Sequence, residues 1–273
     1  MNGAVTTSES PLPPTGARSA DLPAPAARPP RIWKFWATLA WSLLIYAVMT
    51  ASAVVGIMLV VRRYDVDFGD SAVDRAAFLN NGLVVAATSM SATVPVLLVL
   101  ALAIRLARQN LADYLALRRP SMRHACIGLG AIVVLMVVID GLSVLLGRPV
   151  VPDVLLEEVR SVREHNALAF FALALVVTAP ITEEAVFRGF IYRGFAASRL
   201  GVIGAVIVSS VIFAAIHIQY DPITLCGVLA TALLLGIMRA VSGSTLLTMA
   251  MHALNNAVVL LEMLWFAGLL PHA

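Results

Sequence analysis

Charge is what this sequence has least of. Only 13% of its 273 residues are Asp, Glu, Lys or Arg, about half the roughly 25% that a soluble domain carries. Too little polar surface exists to cover one or two water-soluble domains of this length, so a soluble globular protein is excluded. Lysine is nearly missing: 18 of the 19 basic residues are Arg, and Lys34 is the one exception. The formal net charge of +3 comes from arginines at the ends of apolar runs, with no basic face interleaved with aromatics. That pattern suits membrane orientation and excludes a nucleic-acid partner. Cysteine is scarce too. Cys126 and Cys226 each fall inside an apolar run, which excludes a disulfide framework and makes both read as small core residues.

What fills the chain instead is hydrocarbon: 60% of residues are hydrophobic and the mean hydropathy is +0.90. A membrane helix needs about 20 apolar residues at about 1.5 Å each. Runs of suitable character cover 35–61, 82–104 and 125–146, a fourth begins at Ala167 and enters a polar patch near Glu183, and others cover 202–218, 222–238 and 245–270. The expectation is an all-α, polytopic transmembrane bundle of seven to eight spans, the eighth arising if 189–198 or the last run divides. Residues 1–31 differ. Seven of the 14 prolines fall there among Ala, Ser, Thr and Gly, and no apolar stretch precedes residue 32. This segment reads as a disordered tail rather than a signal peptide. The expected organisation is therefore a tail over 1–31, N-terminal transmembrane helices over 32–164, and a C-terminal functional core over 165–270.

Orientation follows from arginine and lysine in alternate loops. One side collects 13 and the other 6, and the poorer side holds most loop acids, among them Asp65, Asp67, Asp70, Asp74, Asp153, Glu157, Glu158 and Glu164. A multi-pass protein of the cell membrane with its N-terminal tail in the cytoplasm is expected. The piece 106–115 is amphipathic and is expected along the interface.

Ionisable residues inside spans are costly and mark function by default. Here they group. The second half reads Thr182-Glu183-Glu184-Ala185-Val186-Phe187-Arg188, then Phe213-Ala214-Ala215-Ile216-His217, then His252-Ala253-Leu254-Asn255-Asn256. As patterns these are EExxxR, FxxxH and HxxxN, and a spacing of four puts both ends on one helical face. If the chain turns near 199–201, Glu183 and His217 lie level in an antiparallel hairpin. Measured from Arg193, Glu183 is about 15 Å deep, and His252 is about 12 Å deep from Ser244. The three motifs meet at one level. Taken singly, the acidic pair would be interfacial, His217 a core histidine, and His252 with Asn256 interhelical glue; one common depth makes them a site. A carboxylate beside an imidazole in a low-dielectric cavity can activate water, while His and Asn side by side are donors for an oxyanion. Glu184 and Arg188 form a favourable i,i+4 pair, leaving Glu183 as the carboxylate without a local cation. Asp140 reads as structural, with Glu262 or Arg239 as partner. No HExxH occurs, no serine elbow lies in a span, and Phe68-Gly69-Asp70 is loop material.

These three motifs, in this order and at these intervals, resemble the CAAX protease and bacteriocin-processing (CPBP) family of intramembrane proteases over roughly residues 165–262. The resemblance implies that Glu183 is the catalytic base with Glu184 and Arg188 its motif partners. It further implies that His217 helps activate water, that His252 and Asn256 stabilise the oxyanion, and that Phe213 packs beside His217. It implies a metal-independent glutamate mechanism, although family members were long called metalloproteases; no cofactor is expected. If a metal bound, zinc on Glu183, His217 and His252 would be the set. Eukaryotic members remove the last three residues of prenylated CAAX proteins, and many bacterial relatives are linked to bacteriocin immunity or processing. The expected partners are a peptide or protein substrate at the membrane and the lipid bilayer. The competing reading is a non-enzymatic membrane protein, a transporter or an immunity or scaffold protein, using the same residues to bind a ligand or brace helices.

Overall fold

A computed structural model describes residues 30–64 and 78–270. The tail expected over 1–31 lies, but for its last two residues, outside the described residues, as do Asp65, Asp67, Phe68, Gly69, Asp70, Asp74 and His272. Among the described residues the fold is all-α, without strands.

The chain runs through α1 (Phe35–Tyr64), α2 (Gly82–Leu106), the short α3 (Leu111–Tyr114), α4 (Met122–Leu145) and α5 (Asp153–Glu164). One long irregular helix then covers Leu168–Ala196. Last come α9 (Gly201–Ala215), α10 (Pro222–Ser242) and α11 (Thr245–Phe266). Six helices are long and apolar enough to cross a membrane, and α9, at 15 residues, is a shorter apolar seventh. Neither 189–198 nor the last run divides. The turn between the irregular helix and α9 falls where the sequence puts it, and Gly201 opens α9 at φ +63.

Local chemistry fixes the helix starts. Asn81, Asn110, Ser121, Asp221 and Ser244 each cap a helix by accepting backbone N–H groups through the side chain, which satisfies donors the helix itself leaves orphaned. Gly243, at φ +67, ends α10 in the left-handed conformation and returns its N–H to the Arg239 carbonyl, a turn only glycine makes without strain.

The helix over Leu168–Ala196 is not uniformly α. It is divided into α6 (Leu168–Leu173), a π segment over Ala174–Thr178, α7 (Ala179–Glu184), a second π segment over Ala185–Ile191, and α8 (Tyr192–Ala196). Pro180 sits in the first turn of α7, where its missing N–H deprives the ladder of a bond. Such π bulges recur at functional sites, and these two flank the Glu183–Glu184 pair.

Three apolar groups of buried side chains meet around that pair. Ala185, following Glu184, belongs to a group with Leu100, Tyr114, Phe190 and Phe195. Ala174 and Phe171, earlier on the same helix, join Leu83, Val159 and Met263. Met251, preceding His252, joins Ile132 and Leu235. Outward faces such as Val134, Val137 and Leu145 of α4 stay exposed and face hydrocarbon.

Two expectations are corrected. Cys126 and Cys226 are free thiols on exposed helix faces, not core residues; in lipid the outer face is apolar too, so residue polarity does not separate the two locations. The 106–115 piece does not lie free along the interface. Tyr114, Leu115 and Ala116 are buried, and the segment is a docking hub. Arg193 stacks on Tyr114 at 4.8 Å and donates to the Asp113 and Tyr114 carbonyls. The Thr245 hydroxyl donates to Leu115 O at 2.5 Å, and Trp33 Nε1 donates to Ala103 O nearby at 2.9 Å.

Candidate active site

Glu184 and Arg188 are the most deeply buried ionic groups, at 0% and 1% exposure. Arg188 Nη1 donates to Glu184 Oε1 at 2.9 Å, and its Nη2 donates to the Ala232 carbonyl of α10 at 2.9 Å. The guanidinium also lies 4.7 Å over the Phe213 ring. Glu184 Oε1 accepts a second bond from His252 Nδ1 at 3.0 Å. Among the described residues Glu184 Oε2 has no hydrogen-bond partner. Thr248 adjoins Glu184, with its hydroxyl proton committed to Thr245 O at 3.0 Å.

This chain of contacts has a direction. With Nδ1–H given to Glu184, the tautomer of His252 is set and Nε2 faces away from the ion pair. Nε2 is 3.9 Å from Oε2 of Glu183, whose side chain is 29% exposed while Glu184 is sealed. Adjacent residues on a helix point about 100° apart, so the two glutamates are separated by function of place: one is locked in an ion pair, the other opens towards the cavity.

His217 lies in the turn just past α9, whose C-cap is Ile216. Its Nδ1 donates to the Phe213 carbonyl at 2.7 Å, leaving Nε2 available as an acceptor. The Phe213 ring is the common neighbour of both imidazoles, 4.7 Å from His217 and 6.0 Å from His252, and meets Phe187 edge-on at 5.0 Å. EExxxR, FxxxH and part of HxxxN therefore share one neighbourhood.

Asn256 is placed differently. It is on the His252 face of α11, but its Nδ2 donates to Leu175 O of the first π segment at 2.9 Å, and its Oδ1 accepts from Asn255 Nδ2 at 3.2 Å. One amide proton remains. Asp140 hydrogen-bonds Glu262, whereas Arg239 donates through Nε to Arg188 O at 3.0 Å. Among the described residues no three His, Cys, Asp or Glu side chains are set to hold a metal ion, so the conditional set Glu183, His217 and His252 does not form a ligand group, and no step is derived through zinc.

Several neighbours escape motif reading. Arg239 supports the backbone of Arg188. Tyr220 stacks on His217, ring centroids 6.2 Å apart and planes 14° from parallel. Glu158 of α5 is 6% exposed, and burial lifts its carboxyl to about 8. Glu158 does have a signal in the sequence. It falls within the apolar stripe Leu155, Val159, Val162 of an otherwise charged helix, where a solvated carboxylate would not be placed.

Comparison with known proteins gives one family. Residues 165–258 match the model described as Rce1-like, type II CAAX prenyl endopeptidase Rce1-like. Neither the curated proteins nor the solved structures give a match. The matched segment starts before the irregular helix and ends two residues beyond Asn256, so it encloses all three motifs.

Proposed function

Taking residues 165–258 as an Rce1-like, type II CAAX prenyl endopeptidase domain, we propose that this protein is an intramembrane endopeptidase that cleaves a membrane-associated protein or peptide with a glutamate-activated water. The observation that carries this reading is the pairing of one sealed and one accessible glutamate around His252, with Nε2 3.9 Å from Glu183.

In this reading Glu183 takes a proton from water as the oxygen attacks the scissile carbonyl carbon. His217, its Nδ1–H fixed on Phe213 O, orients the water through Nε2. The carbonyl oxygen becomes an oxyanion, which His252 stabilises through Nε2–H when its imidazolium is held between the two carboxylates, with the remaining amide proton of Asn256 as a second donor. Collapse of the intermediate breaks the C–N bond, and Glu183 returns its proton to the leaving amine. Glu184 and Arg188 stay charged throughout and hold His252 in place, as a buried carboxylate orients the imidazole of a hydrolytic triad. The substrate class, a peptide held at the bilayer, follows from the depth of the site.

The test is N-terminal labelling of membranes from cells carrying wild-type protein or Glu183→Gln, which keeps shape and removes the base. A new N-terminus present in wild type and lost in the variant is the expected result. Identical termini in the two membranes would overturn the enzymatic reading in favour of ligand binding or helix bracing.

A further inference from the structure

We infer that Tyr220 is a further positioning residue of this site, holding the plane of His217 with its ring and the Glu183 carboxylate with its phenol hydroxyl. The inference rests on the hydrolytic reading above. Four observations lead to it. First, Tyr220 is tied to His217 twice: its ring stacks nearly parallel at 6.2 Å, and its backbone N–H donates to His217 O at 3.2 Å. Phe213 covers the imidazole from another side at 4.7 Å, so the ring is held between two aromatic neighbours with Nδ1 spent on Phe213 O.

Second, the phenol is half-buried and within electrostatic reach of both Glu183 and Glu158. Burial and these two carboxylates hold it above the usual tyrosine range, so it keeps its proton. Third, the Gln219 side chain donates to the phenol oxygen, while among the described residues the phenol's own proton has no acceptor. A protonated donor with a free proton beside the proposed base is suited to fixing a carboxylate. Fourth, the turn carrying Tyr220 is pinned. Asp221 caps α10 through Ile223 N at 3.0 Å and Thr224 Oγ1 at 2.6 Å, and it pairs with Arg148 at 2.8 Å. Asn256 gives a chemical reason for such a residue. With one amide proton committed to Leu175 O, it brings fewer donors to the site than its motif position suggests.

The experiment uses the full chain in lipid nanodiscs and, as probe, a synthetic peptide spanning the neo-terminus that Glu183→Gln abolishes. Tyr220→Phe keeps the ring and the stack and removes only the hydroxyl. The expected result is a fall in kcat of about 10- to 100-fold, with KM and thermal stability unchanged. Tyr220→Leu, which also removes the aromatic ring, is expected to lower kcat further. If Glu183→Gln abolishes cleavage while Tyr220→Phe turns over at the wild-type rate, the role of Tyr220 is overturned and the protease reading stands. If the fall in Tyr220→Phe is matched by a lower thermal midpoint, the residue is structural and the inference fails. If no Glu183-dependent cleavage exists, the protease reading fails and takes this inference with it.

Discussion

The two adjacent glutamates differ at the scale of single atoms. Glu184 accepts from Arg188 and His252 through one oxygen, so replacing it leaves a buried guanidinium without its counter-charge. Breaking a buried pair on one side costs about 3–5 kcal/mol. Glu184→Gln is therefore expected to lose thermal stability in detergent along with activity, and Arg188→Gln to do the same. Glu183→Gln is expected to abolish cleavage with its thermal midpoint preserved, since 29% of that side chain already faces outward. Parallel melting curves and cleavage assays on the three variants check this; a stable but inactive Glu184→Gln would reverse the assignment.

Glu158 gives a second prediction at this scale. Its ordinary value is 4.5 and burial lifts it to about 8. Between these values the folded state retains a proton that the unfolded state releases, so stability is lost as pH rises through the window. By pH 7 the loss is on the order of 3 kcal/mol. Glu158→Gln removes the titration. Its thermal midpoint should exceed that of wild type at pH 7–8 and converge with it near pH 4–5. A wild-type melting curve independent of pH across that range would refute the assignment.

Among the elements, the irregular helix is the one on which the site depends. Its second half packs on α1 at a single close approach, where a Cβ on Gly194 would overlap the Thr38 side chain. Thr38 is itself fully buried, with its hydroxyl on Trp33 O at 2.9 Å, so it has no space to yield. Gly194→Leu is expected to lower stability by about 1–3 kcal/mol through overpacking. It is also expected to reduce cleavage, because the same helix carries Glu183, Glu184 and Arg188. Gly130→Leu, on a helix face with open space around it, is the control and should leave both unchanged. The helix ends were legible beforehand for a local reason: Asn, Ser or Asp cap them and Gly243 closes one. The π segments were not, because hydrophobic period alone does not distinguish one extra residue per turn from an α-helix with a different face.

Across the whole molecule, one end carries exposed Arg31, Lys34, Arg105, Arg108, Arg118, Arg119, Arg123 and Arg199, whereas the α4–α5 connection at the other carries Arg148, paired to Asp221. We propose the basic end faces the cytoplasm. In a variant with Cys126 and Cys226 replaced by Ser, a cysteine at Arg119 should react with an impermeant maleimide only after cells are opened, and one at Glu157 should react on intact cells. The reverse labelling would invert the topology.

Sequence alone determined the solvent and the chemistry of this protein. A chain so poor in charge has to bury its helices in hydrocarbon, and three motifs at helical spacing place their polar ends at one depth, since depth is a linear sum of residues along a helix. Azimuth is not such a sum. Only the packing of α7 against α11 decided that Glu184 is sealed by Arg188 and His252 while Glu183 stays open. The same packing turned Asn256 towards the Leu175 carbonyl. Packing of the turn after α9, and of α5, brought Tyr220 and Glu158, two residues outside every motif, to the same site. Rotation about a helix axis is set by side chains on other helices, and no spacing within one helix encodes it.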